Sequence, residues 1–208
     1  MEPIKENVLN AGYIYLIDFM GGDEAVIRGA RRCYRSESKG EQADRKLIRH
    51  LITAEHKSPF EHSVFAFDVK CPLFVARQWI RHRHASISEE SLRYCIAERD
   101  YFIPTLPSQE MQSWIRRHES DFDYYDYIVN KLNVPKEQAR AKLPTGIYTK
   151  FYWTINGSSL MNFLKLRQDS HAQPEIRAYA NSIMSMVKHV SPMCFEEFEK
   201  IVILKDKG

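Results

Sequence analysis

Three short apolar runs, far apart in the chain and each handing over to a helix, most constrain what this chain can fold into. Gly12 to Phe19, Val64 to Val69 and Tyr148 to Ile155 are rich in β-branched and aromatic residues at strand-like spacing. Gly21-Gly22 breaks the first run, and Asp23 can cap a helix reaching about Tyr34. Residues 41–56 form a second helix, with Leu47, Ile48, Leu51 and Ile52 as its apolar stripe. Pro72 opens a helix through about His82, and an irregular loop follows. Gln109 to Leu132 reads as a long aromatic-rich helix and Pro135 to Lys142 as a short one. Residues 105–145 are thus a helical segment inside one domain spanning 1–208. Gly157 and the serine pair after it lead into a further helix; Pro174 starts another that stops before Pro192. The order predicts an α+β fold, a mixed sheet packed with helices, with the polar blocks at strand-to-helix junctions.

Composition narrows the function. With 44% hydrophobic and 12% aromatic residues the chain can build a sizeable core. A formal net charge of +3 is too small to argue for nucleic acid. Local clusters such as Arg31-Arg32 and Arg81 to Arg83 suit an anionic small molecule better. Cys33, Cys71, Cys95 and Cys194 are scattered without paired spacing. The N-terminus lacks the apolar core of a signal peptide, and no run could span a membrane, so a reduced cytoplasmic protein is expected. His82 and His84, with His56 and His62, lack acidic or cysteine partners at supporting spacing. The neighbouring arginines would repel a cation, so no metal is expected.

Arg81-His82-Arg83 is followed after seven residues by Ser91 and then Arg93, with Glu89 and Glu90 between. Arginine matches planar anions with paired donors at any working pH. These charges could also be a helix end answering its dipole and an ordinary solvated surface. Gln78 and Arg81, three residues apart, would share a helix face and offer an amide beside a cation. The block after Gly157 is more specific. At about 100° per residue, Leu160, Phe163 and Leu164 fall in one arc of roughly 100°, with Arg167 in its middle and Ser158 and Asn162 opposite. A cation on an apolar stripe is costly unless it is paired or at a cavity edge, or snorkels outward from the helix end.

Three blocks stand in order: His56-Lys57-Ser58-Pro59-Phe60-Glu61-His62, then Arg81-His82-Arg83 with Ser91, then Asn156 through Arg167. Together they resemble the flavin-dependent thymidylate synthases, from about residue 13 to 195. The resemblance implies a homotetramer with active sites shared between subunits. It implies conversion of dUMP to dTMP with methylene transfer through reduced FAD, 5,10-methylenetetrahydrofolate as carbon donor and NADPH as reductant. It assigns Gln78, Arg81, Glu89, Glu90, Ser91, Leu92, Arg93, Arg140 and Arg167 to dUMP, with Arg140 on the phosphate. Arg167 takes the catalytic role, stabilising negative charge on the uracil ring. To FAD it assigns Ser58, Glu61, Arg81, His82, Arg83, Glu89, Asn156, Ser158 and Asn162. Asn156 and Ser158 could equally cap a helix.

Two departures from the family pattern stand out. Ser158 occupies a position where many members carry arginine, and Leu92 one where glycine is common. No His or Lys base adjoins Ser91 in the sequence, so it reads as a ligand and not a nucleophile. A flavin oxidoreductase without methyl transfer, or a non-catalytic nucleotide-binding module, would also use many of these residues. Gln78, Arg93, Arg140 and Arg167 argue against the first. Flavin colour on purification separates the second.

Overall fold

A computed structural model describes residues 4–33 and 35–204. Five strands, β1 (Ile4–Val8), β2 (Gly12–Met20), β3 (Val64–Pro72), β4 (Ala85–Glu89) and β5 (Tyr148–Asn156), form one sheet in the order β1-β2-β3-β5-β4. The expected α+β class holds, but the expected mixed sheet is corrected: every ladder is antiparallel. Helices α1 (Gly22–Arg32) and α2 (Glu41–Thr53) carry the chain out and back, so Val64 at the start of β3 pairs with Met20 at the end of β2. A strand begun where its neighbour stopped has to run the other way.

The three apolar runs are the sheet's middle strands. Phe65, Phe67 and Val69 stand opposite Ile155, Trp153 and Phe151, and all six are buried on one face. Helices α3 (Leu73–Trp79), α6 (Gly157–Arg167), α7 (Pro174–Val190) and α8 (Pro192–Phe198) cover that face. On the other face Tyr152 stays half-exposed, the one-sided burial an antiparallel sheet tolerates. Helices α4 (Ser108–Asn130) and α5 (Lys136–Ala139) build a second cluster around Phe122, Tyr125 and Ile147. Among the described residues no helix is long and apolar enough to cross a membrane.

Two strands escape the sequence pattern. β1 and β4 are edge strands that bury few side chains; β4, Ala-Ser-Ile-Ser-Glu, occupies what reads as irregular loop. Its backbone ladder to β5, and not hydrophobic alternation, makes it a strand. α3 ends at Trp79, earlier than His82, and α2 ends at Thr53. The expected end of α1 near Tyr34 lies outside the described residues. Gly21 and Gly22, with φ of 90° and 53°, make the break before α1 that their sequence suggests.

Asp23 has a different task from the one expected. Its carboxylate accepts from Ser191 Oγ at 2.6 Å, Met193 N at 2.8 Å and Cys194 N at 2.9 Å. It therefore caps α8, a helix not anticipated beyond Pro192, and ties it to α1 across the chain. Asp23→Ala should destabilise the protein by about 2–4 kcal/mol, because it orphans one buried amide, one partly buried amide and a buried hydroxyl. Urea unfolding measures it; an unchanged midpoint would refute the cap.

Candidate active site

α3 ends at the buried Trp79, and the chain leaves it as a turn, His82 N donating to Trp79 O at 3.0 Å. Arg81 to His84 therefore lie in a connector before β4. Gln78 and Arg81 do not share a continuous helix face, as their spacing suggests. Opposite them, β5 runs into α6, where Asn156 is the N-cap and its Oδ1 accepts from Ser159 N at 2.8 Å. A tight turn, Ser58–His62, closes the third side. Gly157 permits this approach, since a Cβ there would lie 2.8 Å from Phe60 O.

These elements enclose an open cleft of about 700 Å³. Glu61, Arg81, His82, Arg83, Asn156, Ser158 and Asn162, all assigned to FAD by resemblance, line it together with Arg167. Ser58 does not line it, and Glu89 lies in another cleft. Lys57, His84, Ser159 and Leu166 also line the cleft, although no role toward FAD or dUMP was expected of them. Lys57 lies inside the first sequence block and His84 directly follows the second, so both were readable from position. A smaller apolar slot next door holds His56 with Leu51, Phe60, Met161 and Phe198, and shares Lys57, Ser158 and Asn162 with the cleft.

The cleft is cationic. Lys57, Arg81, Arg83 and Arg167 face one carboxylate, Glu61. Among the described residues none of these four cations is held in an ion pair. The arc that placed Arg167 on the apolar stripe of α6 is resolved at the cavity edge. Its Nε donates to His82 Nε2 at 3.0 Å and its Nη2 to Gln78 O at 3.1 Å. Both acceptors are neutral, so its charge is uncompensated, and burial lowers its pKa from the ordinary arginine value. Burial first, and then Arg167, depress His82 from 6.5 to about 4. The ring is therefore neutral near pH 7 and can accept.

The residues assigned to dUMP divide between two places. Glu89, Glu90, Ser91, Leu92 and Arg140 line a second cleft of about 620 Å³ beyond the other end of β4. Arg93 stands beside it, its Nε 3.4 Å from Glu137 Oε2, while Arg140 Nε donates to Glu137 O at 3.2 Å. Ser91 Oγ accepts from Arg93 N at 3.3 Å. Glu89 accepts from Thr149 Oγ1 at 2.7 Å, and Glu90, whose pKa burial raises, accepts from Lys150 N at 3.1 Å. Leu92 has no left-handed φ and packs on the second core cluster, so the missing glycine leaves no strain. Arg81 and Arg167 line the first cleft instead, and the Gln78 amide is turned to Gln173. β4, five residues and roughly 16 Å long, runs between the connector that carries Arg81 and the loop that carries Ser91.

This fold is that of known nucleotide-modifying enzymes. A UMP/dUMP methylase, PolB from Streptomyces cacaoi, solved with 5-Br UMP, superposes with a TM-score of 0.84 at 28% identity, covering 94% of this chain and 97% of that one. The same enzyme with 5-Br dUMP gives a TM-score of 0.86 at 27% identity, over 95% and 98% of the two chains. Fold and cleft thus define the class, an enzyme built on the uridylate-methylase fold. The chain belongs to the flavin-dependent thymidylate synthase family: residues 15–193 match the family described as "Thymidylate synthase complementing protein". The flavin-dependent thymidylate synthase of Thermotoga neapolitana is 43% identical over 95% of each chain. That of Pseudothermotoga lettingae is 38% identical over 92% of this chain and 91% of its own.

His82 links the cleft to stability. Its folded pKa lies below the unfolded value, so the unfolded chain binds the extra proton between about pH 6.5 and 4. Its contribution is full above that window and falls as pH drops through it. Allowing for the half-exposed ring, the loss should be about 1–2 kcal/mol. His82→Gln should remove that part of the pH dependence in urea unfolding; identical slopes for both proteins would rule it out.

Proposed function

We propose that the enzyme methylates C5 of dUMP to give dTMP, with FAD as cofactor, 5,10-methylenetetrahydrofolate as carbon donor and NADPH as reductant. The observation that carries this reading is Arg167, a cation at the cleft edge with only neutral acceptors and free donors. The donor set suits FAD. Lys57, Arg81 and Arg83 are unpaired cations for a pyrophosphate, and the N-terminus of α6, with Asn156, Ser158 and Asn162, adds hydrogen-bonding groups for an anion or ring edge. Bound there, the flavin supplies the electron and one-carbon chemistry.

The chain's own residues hold and polarise the uracil. Arg167 donates to the ring edge and stabilises the charge that develops as N3 ionises and C5 becomes nucleophilic. A nearby cation favours such an ionisation by roughly 1–3 pK units. His82, neutral, accepts from Arg167 and adds no competing charge. Arg140 and Arg93, with the backbone of 89–92, suit the nucleotide phosphate. Ser91, whose Oγ meets a backbone amide, serves as a ligand.

Within one chain, Arg140 lines a different cleft from Arg167, at the other end of β4, and Arg93 stands beside that second cleft. In this reading a nucleotide that meets both sets is held by two subunits of a homotetramer, whose active sites are shared. Free thiols at Cys33, Cys71, Cys95 and Cys194 fit a cytoplasmic enzyme.

Release of tritium from uracil C5, dependent on dUMP with both co-substrates present, tests the reaction; none from FAD-loaded enzyme would refute it. Arg167→Lys should slow single-turnover dTMP formation by about a hundredfold, because lysine loses the paired planar donors. Flavin reduction by NADPH, which needs no uracil ionisation, should slow far less in stopped flow. Equal losses would remove Arg167 from the uracil. Ser158→Arg should tighten FAD binding by up to about 1.5–3 kcal/mol by adding a charged donor at the α6 N-terminus. An unchanged dissociation constant in a fluorescence titration would show that Ser158 does not face the cofactor.

A further inference from the structure

Arg167 reaches the cleft from the last turn of α6, and two contacts hold its guanidinium: Nε on His82 Nε2 at 3.0 Å and Nη2 on Gln78 O at 3.1 Å. A planar group held at two points that are not collinear with its stem has its plane set. Of five N–H donors, two are then used; both on Nη1 and one on Nη2 remain. Gln78 O is a backbone carbonyl at the end of α3, fixed as the core fixes that helix. The second holder is a side chain, and it too is fixed from below. The His82 ring stands edge-on to Phe163, 4.8 Å between centroids, and Phe163 is fully buried against Trp79 and Trp153.

We propose that His82 is a positioning residue for Arg167: the lone pair on its Nε2 orients the guanidinium so that the remaining donors face the cleft. Arginine only donates, so His82 Nε2 is unprotonated and the ring proton sits on Nδ1. His82 is then no proton carrier at Nε2. Its effect on turnover passes through Arg167, apart from any contact it makes with the flavin. The inference rests on the proposed role of Arg167 toward uracil.

A double-mutant cycle on the FAD-loaded enzyme tests it, reading single-turnover dTMP formation, dUMP binding by calorimetry and FAD binding by fluorescence. His82→Phe keeps a ring on Phe163 and removes the acceptor. It should slow dTMP formation by about tenfold or more at saturating FAD, in line with loss of a charged hydrogen bond. His82→Gln, whose amide oxygen can accept, should recover most of that loss. In the Arg167→Lys background, His82→Phe should change the rate by less than about twofold, since residues acting as one unit are not additive. The same fold loss in both backgrounds, or a loss that more FAD restores, would overturn the proposal. Nitrogen-15 NMR of the His82 ring in the wild-type holoenzyme is independent of any variant folding. It should show Nε2 as the unprotonated nitrogen near neutral pH; a protonated Nε2 would overturn the proposal by itself. Absence of dUMP-dependent tritium release from the wild type would instead defeat the methylation reading and leave the NMR result standing.

Discussion

The fully buried Trp79 side chain is the contact on which the site depends. Its ring lies 5.4 Å from Phe151, 5.1 Å from Trp153, 5.0 Å from Phe163 and 5.7 Å from Tyr179. These rings come from β5, α6 and α7, so one aromatic cluster locks α3 and α6, the helices beside the cleft, onto β5. Offset and edge-on aromatic pairs add directional stability beyond their buried area. Trp79 is also the last residue of α3. Its burial anchors the end of that helix, from which Arg81 to His84 continue as a connector, while Phe163 meets the His82 ring. The cleft thus takes its geometry from the core beneath it.

The arginines of this chain divide by what they touch. Arg31 pairs with Asp44, Arg45 and Arg49 meet the buried Glu197, and Arg99 bridges Glu119, Asp123 and Asp126. These stitch helices and loops together. Arg81, Arg83 and Arg167 have no carboxylate partner among the described residues, although Arg167 is partly desolvated. A partly buried cation left with neutral acceptors stabilises an incoming anion more strongly than a paired one, because no internal ion pair has to be broken. The distinction lies in partners and not in residue type. For that reason a count of arginines along the chain does not reveal it.

Much of the framework was legible from residue order. The three middle strands carry their apolar residues at period two, and each was read within a few residues of its observed limits. β1 and β4 were not, because an edge strand with exposed side chains is held by its backbone ladder and leaves little hydrophobic pattern. The capping role of Asp23 was hidden for another reason. Its three donors lie about 170 residues away, where only packing of α1 against α8 delivers them. Arg167 shows the opposite case: the helical arc alone placed it on an apolar face and left a partner, a cavity edge or outward snorkelling as its options.

By itself, then, the sequence determined the α+β class, the middle strands, the helices that follow them and the family whose motifs they carry. These follow from local periodicity, turn chemistry and short ordered blocks. Only the tertiary structure decided that the sheet is wholly antiparallel, that Gln78 offers Arg167 its carbonyl while its amide turns away, and that the residues the resemblance assigns to dUMP divide between two clefts at opposite ends of β4. Each of those depends on which segments meet across long stretches of chain. Burial and backbone pairing settle such meetings, and no local spacing encodes them.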